Sequence, residues 1–176
     1  MIISSEKVVG VMTKREKSDK QLIGAAGEHL VLSRLLSRGK LASQAPRGTR
    51  DVDILVNPLD GGRPIHIQVK TRSGTGTERK RWAMTSKNES ISSPDIYYCF
   101  VDLEDIDNPD VYVIPSKVVA QVIKVGHAKW LKQPGVGGKK HNDSDMRSLS
   151  NSPRIETRHA FDGWMDKYLE AWELLD

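Results

Sequence analysis

Arg50-Asp51-Val52-Asp53-Ile54-Leu55-Val56, followed by Ile65-His66-Ile67-Gln68-Val69-Lys70, is the stretch on which the fold reading turns. Strand side chains alternate faces, so Ile65, Ile67 and Val69 share one face while His66, Gln68 and Lys70 share the other. The apolar triple reads as core, and the polar triple as standing over a cleft or solvent. Asn57-Pro58 and Gly61-Gly62 supply turn chemistry between the runs and bring Asp53 alongside the second one. Asp53 is preferred as the inward acid because the short buried run Ile54-Leu55-Val56 follows it directly. Asp51, two residues earlier, is the alternative. An acid, an amide and an ammonium thereby converge on one sheet face.

Upstream, Ser18-Asp19 offers a helix cap and Gly39 a stop, and between them Glu28, Val31, Leu32 and Leu35 fall at i, i+3, i+4 and i+7. Glu28 therefore lies on or beside the apolar stripe. A carboxylate there needs a partner, because a buried unpaired charge is costly. The plain alternative is an ion pair with Arg34, Arg38 or a nearby lysine.

Downstream, Arg81-Trp82-Ala83-Met84, Ile96 to Val101 and Val111-Tyr112-Val113-Ile114 read as strands. Pro115-Ser116 opens a short helix through Val118, Val119, Val122 and Ile123. Phe161, Trp164, Met165, Tyr168, Trp172 and Leu175 recur at helical spacing. The expected organisation is an N-terminal arm over 1–18, an α/β core over 19–125, a basic Gly-rich loop over 126–160 and a C-terminal amphipathic helix over 161–176 docking on the core. The fold class is α/β: one domain with a central mixed β-sheet of about four or five strands flanked by helices.

At these residues the chain resembles the PD-(D/E)XK nuclease superfamily, which is restriction-endonuclease-like and includes Holliday-junction resolvases. The resemblance spans Gln21 to Phe100. It rests on Glu28 in the N-terminal helix, Asp53 opening a strand and Gln68-Val69-Lys70-Thr71-Arg72 ending the next, with Gln68 where the usual pattern has an acid. It implies an endonuclease hydrolysing phosphodiester bonds in DNA, with Mg²⁺ or Mn²⁺ as cofactor. Glu28, Asp53, Gln68 and Lys70 would be its catalytic residues. Asp53 and Glu28 would ligate the metal, Gln68 would lend an amide oxygen, and Lys70 would act on the attacking water and the developing charge.

Composition agrees with a nucleic-acid partner. The formal charge of +4 is uneven: Asp162 to Asp176 carries −4, which leaves +8 on the rest. Arg72, Arg79, Lys80, Arg81 and Lys87 follow the site beside the loop Ser73-Gly74-Thr75-Gly76-Thr77, and Lys139 and Lys140 lie in the basic loop with Trp130. Cations so placed would neutralise phosphates. His127, His141 and Asp143 lack the tight spacing of a zinc site. No run approaches the ~20 apolar residues of a membrane span, no secretory signal opens the chain, and the lone Cys99 reads as core, so a cytoplasmic location is expected. Double-strand cleavage by so small a domain would require two copies, which makes a homodimer a conditional expectation. Two other functions fit the same residues: a catalytically inactive nucleic-acid-binding module of this fold, and a protein-interaction domain using the aromatic C-terminal segment.

Overall fold

Helix α1 (Lys14–Ser37) begins before the Ser18-Asp19 cap and stops where the sequence places its end. Gly39 sits at φ +75°, Lys40 N–H donates to Leu35 O at 3.1 Å and Gly39 N–H to Leu36 O at 2.9 Å. This is the Schellman closure, in which glycine takes the left-handed turn without steric penalty. The computed structural model describes residues 14–59, 61–74 and 79–176, with side chains from residue 19 onward. Within the segment read as an arm, residues 14–18 belong to α1 and the remainder lies outside the described residues, as do residues 75–78 of the Ser/Gly/Thr-rich loop.

The architecture is the expected α/β domain. Five strands form a mixed sheet in the order β1-β2-β3-β5-β6: β1 (Leu41–Gln44), β2 (Ile54–Asn57), β3 (Ile65–Arg72), β5 (Ile96–Asp102) and β6 (Asp110–Pro115). β3 and β5 run parallel, and the other neighbours are antiparallel. The edge strand β1 was not anticipated, since Leu41-Ala42-Ser43-Gln44 is short, largely exposed and without clear alternation.

The β3-to-β5 connection carries β4 (Arg81–Thr85) and a 3-10 turn at Ser86–Glu89. β4 pairs with β7 (Met146–Ser150) in a separate two-stranded ribbon. Helix α2 runs from Ser116 to Lys132, well past Ile123. The stretch 126–160 therefore holds the end of a helix and a strand in addition to its loops.

Two apolar layers follow from strand alternation. On one face, Val31 and Leu35 of α1 pack with Ile54, Val56, Ile67, Val69, Cys99 and Val101. On the other, Tyr98, Phe100, Tyr112 and Ile114 meet Trp82 and Met84 of β4, Leu149 of β7 and Val119, Val122 and Ile123 of α2. β5 is apolar on both faces because both are covered.

The C-terminal segment departs from its periodicity. In place of an amphipathic helix it forms 3-10 turns at Asp166–Tyr168 and Trp172–Leu175, separated by Glu170 at φ +52°. Glu170 accepts from the Arg34 guanidinium, from Val111 N–H at 3.2 Å and from Trp172 Nε1 at 2.8 Å, while Leu169 bridges to Tyr112 of β6. The segment thus wraps the β6 edge, with Trp164 and Met165 in one apolar layer and Trp172 and Leu175 in the other. A single straight helix cannot present its rings to both faces of a sheet. Among the described residues, no helix is long and apolar enough to cross a membrane.

Candidate functional site

Asp53 stands where β2 leaves β3. Its N–H makes the last bond of that ladder, to Ile67 O at 2.9 Å, next to the Ile54–Ile67 pair. Upstream the chain turns away through Asp51 at φ +60°, so β3 continues to Arg72 without β2 beside it. An unpaired strand N–H needs an acceptor. Asp53 Oδ2 provides it, taking Val69 N–H at 2.7 Å. One lone pair of the carboxylate is thereby anchored to the strand that carries Gln68 and Lys70, and the others remain for the cleft.

Glu28 arrives from the α1 side. α1 crosses β3 at Gly27, where a Cβ would overlap Thr71 Oγ1 and lie 2.9 Å from Thr71 Cγ2. This close crossing brings the half-buried Glu28 toward the end of β3. Desolvation, then the charge of Asp53, raises the Glu28 pKa against the opposing charges of His29 and Lys70. Burial lowers the Lys70 pKa; Asp53, Asp51 and Glu28 counter that shift, and Lys87 reinforces it. Three of the four expected catalytic groups therefore share one electrostatic neighbourhood. Of the alternative partners of Glu28, Arg34 and Arg38 both pair with Glu170, whereas a nearby lysine, Lys70, does act on its charge.

Gln68 is on the expected face but 6% exposed. The alternation is right, and the ribbon and its turn cover the face that was read as open. Thr85 donates to Asn88 Oδ1 from its N–H at 2.9 Å and from its hydroxyl at 3.0 Å. That commits the Asn88 amide nitrogen to the other side, where it donates to Tyr98 Oη at 2.9 Å and to Gln68 Oε1 at 3.4 Å. Burial pushes the Tyr98 phenol up to about 12, with the Asn88 hydrogen bond opposing, so Tyr98 stays neutral at physiological pH. Asn88, Tyr98 and Thr85 escaped sequence reasoning, since no spacing within Thr85-Ser86-Lys87-Asn88 announces a partner twenty residues back. Lys87, on the same turn, pairs with Asp51 at 2.5 Å.

The other basic residues divide. Arg72 and Lys80 converge on the buried Asp102 at 2.6 Å and 3.2 Å, with Glu104 and Asp110 as further partners, and so serve the fold. Arg79 and Arg81 line a groove between α2 and β7. Lys139 and Lys140 are exposed beyond α2. Trp130 stacks with His127 (ring centroids 5.3 Å apart) and with His141 (3.9 Å). His127 also meets Asp143 at 2.8 Å.

The donor set fits a hard divalent cation in its chemistry. The Glu28 carboxyl, raised first by desolvation and then by the charge of Asp53, would be relieved by a cation, and Gln68 adds a carbonyl oxygen. Among the described residues, no group of three or more His, Cys, Asp or Glu side chains gathers to hold a metal ion.

No protein-family profile matches the chain, and a search of curated proteins finds none similar to it. Among solved structures the fold is similar to that of a bacterial homing endonuclease, I-Ssp6803I, at 17% identity and a TM-score of 0.51, over 88% of this chain and 89% of that one.

Proposed function

We propose that the chain is a metal-dependent endonuclease that hydrolyses phosphodiester bonds in DNA, with the variant PD-(D/E)XK set Glu28, Asp53, Gln68 and Lys70. The observation that carries this reading is the Asp53 carboxylate, fixed by Val69 N–H at the opening between β2 and β3 and sharing its charge environment with Glu28 and Lys70. The fold shared with a protein named as a homing endonuclease supports it.

Asp53 and Glu28 would hold Mg²⁺ or Mn²⁺, with Gln68 lending its oxygen. The bound ion supplies Lewis acidity toward water and phosphate. Lys70, whose ammonium is disfavoured by burial, orients the attacking water and assists loss of its proton; as the cation it balances charge developing on the phosphorane. The water oxygen forms the new P–O bond and gives its proton up to solvent, the P–O bond to the ester oxygen breaks, and that oxygen takes a proton from solvent in return. Asn88 holds Gln68 in the orientation this requires.

The test is to titrate the chain and its Asp53→Ala variant against linear, nicked and branched DNA with Mg²⁺, Mn²⁺ or EDTA, scoring binding and strand breaks together. Metal-dependent breaks that vanish in the variant support the proposal. A second reading, a catalytically inactive DNA-binding module, is favoured by the neutral Gln68 at the position where the pattern has an acid. Binding without breaks under every metal would select it.

A further inference from the structure

Between α2 and the outward face of the ribbon lies a groove of about 400 Å³ that opens to solvent. Its chemistry is two-sided. Val122 and Ile155 form apolar walls, while Arg81 and Arg154 stand at its margin with Ser148 between the strands' exposed positions. Ribbon register explains this: Arg81, Ala83 and Thr85 alternate outward opposite Ser150, Ser148 and Met146, leaving Trp82, Met84 and Leu149 for the core.

The charges in the groove are not equivalent. Arg147 has a side chain only 7% exposed and is spent on Glu89 and Asp143. Arg81 and Arg154, both exposed, form no ion pair with any described residue. Solvent-facing guanidinium groups that no acid neutralises, over short hydroxyl and apolar side chains, are complementary to a ligand that alternates anionic and apolar units. A sugar–phosphate backbone has that alternation.

We propose that this groove seats a stretch of the DNA backbone at a distance from the cleavage site, with Arg81 and Arg154 each contacting a phosphate and the apolar walls receiving the deoxyribose edge. The inference rests on the nuclease reading. The ribbon connects the two places, since β4 leads from Arg81 at the groove directly into the turn that bears Lys87 and Asn88. Trp130 stacks on His141 and so fastens the segment bearing it onto α2 beside the groove.

The experiment measures binding of a fluorescein-labelled DNA duplex across a salt series in an Asp53→Ala background, comparing Arg81→Ala, Arg154→Ala and the double variant with Lys117→Ala, an exposed cation at the start of α2. Each arginine variant is expected to weaken binding about three- to tenfold and to reduce the log–log salt slope by about one, additively in the double variant, while Lys117→Ala leaves the slope in place. Parental slopes in both arginine variants, or losses no larger than that of Lys117→Ala, overturn the groove even when metal-dependent cleavage by the Asp53-containing chain upholds the nuclease. A chain that neither binds nor cuts DNA overturns both. Circular dichroism melts confirm that the exposed substitutions leave the fold in place.

Discussion

Asp53 Oδ2 accepts the Val69 N–H at 2.7 Å, so the carboxylate replaces the backbone acceptor that β2 would have provided had it run on alongside β3. The same departure of β2 leaves the Val69 N–H to the acid and so orients it. Asp53→Ala is expected to abolish cleavage and to lower stability by about 1 kcal/mol, since the strand N–H loses its acceptor. Asp53→Asn keeps an oxygen for Val69 and is expected to lose cleavage with most of that stability retained. Thermal melts beside a strand-break assay check both, and an Asp53→Asn chain that cuts like the parent would show the site to be misassigned.

Gly27 and Thr71 fix how closely α1 approaches β3. Ala ordinarily improves a helix by about 1 kcal/mol over Gly. Here the added methyl would overlap Thr71, so Gly27→Ala is expected to destabilise by about 1–3 kcal/mol and to displace Glu28, reducing cleavage. Thr71 Oγ1 is buried with no hydrogen-bond partner, so removing it forfeits none. The double variant Gly27→Ala/Thr71→Ala is expected to recover much of both losses, which a double-mutant cycle in denaturant and in activity measures.

Asn88 is expected to act on turnover more than on DNA affinity, because it touches Gln68 and lies beneath the site, 2% exposed. Asn88→Ala leaves the Thr85 N–H, Tyr98 and Gln68 short of a partner and is expected to cost about 1–3 kcal/mol. Steady-state cleavage against equilibrium binding separates the effects. A kcat equal to the parent's would remove Asn88 from the positioning role.

Lys70 presents the reverse balance. An ammonium held partly buried, with its pKa lowered, opposes folding at neutral pH. Lys70→Met is expected to raise stability by about 1 kcal/mol while eliminating cleavage, the trade expected where function keeps a group that folding does not favour. Denaturant midpoints at constant m-value test the first half, and strand breaks the second.

Asp102 anchors Arg72 and Lys80 at 3% exposure. Asp102→Ala is expected to destabilise by about 3–5 kcal/mol, the range for breaking a buried pair. For Lys80, burial disfavours the ammonium, but hydrogen bonds to Asp110, Tyr112 and Asp102 outweigh it and hold the pKa above the ordinary lysine value. A raised folded pKa makes its stabilisation complete below the unfolded value of about 10.4 and lost only as pH rises through the folded one. The stability difference between the parent and Lys80→Met is therefore expected to stay constant from about pH 6 to about pH 9, which paired melts would establish.

What the sequence determined by itself was short-range period wherever no distant contact overrode it. Alternation over Ile65 to Lys70 assigned the faces of β3, the i, i+3, i+4 stripe placed Glu28 beside the core, and Gly39 marked the end of α1. These depend on neighbours a few residues apart, which a linear reading contains. Tertiary structure alone decided which distant segments meet: Met146–Ser150 found β4, Glu170 turned a helical pattern into a strap around the β6 edge, Asp102 withdrew Arg72 and Lys80 from the surface, and Asn88 reached Gln68. Buried polar groups must be satisfied by whatever the folded chain brings alongside them, and that choice has no period in the sequence.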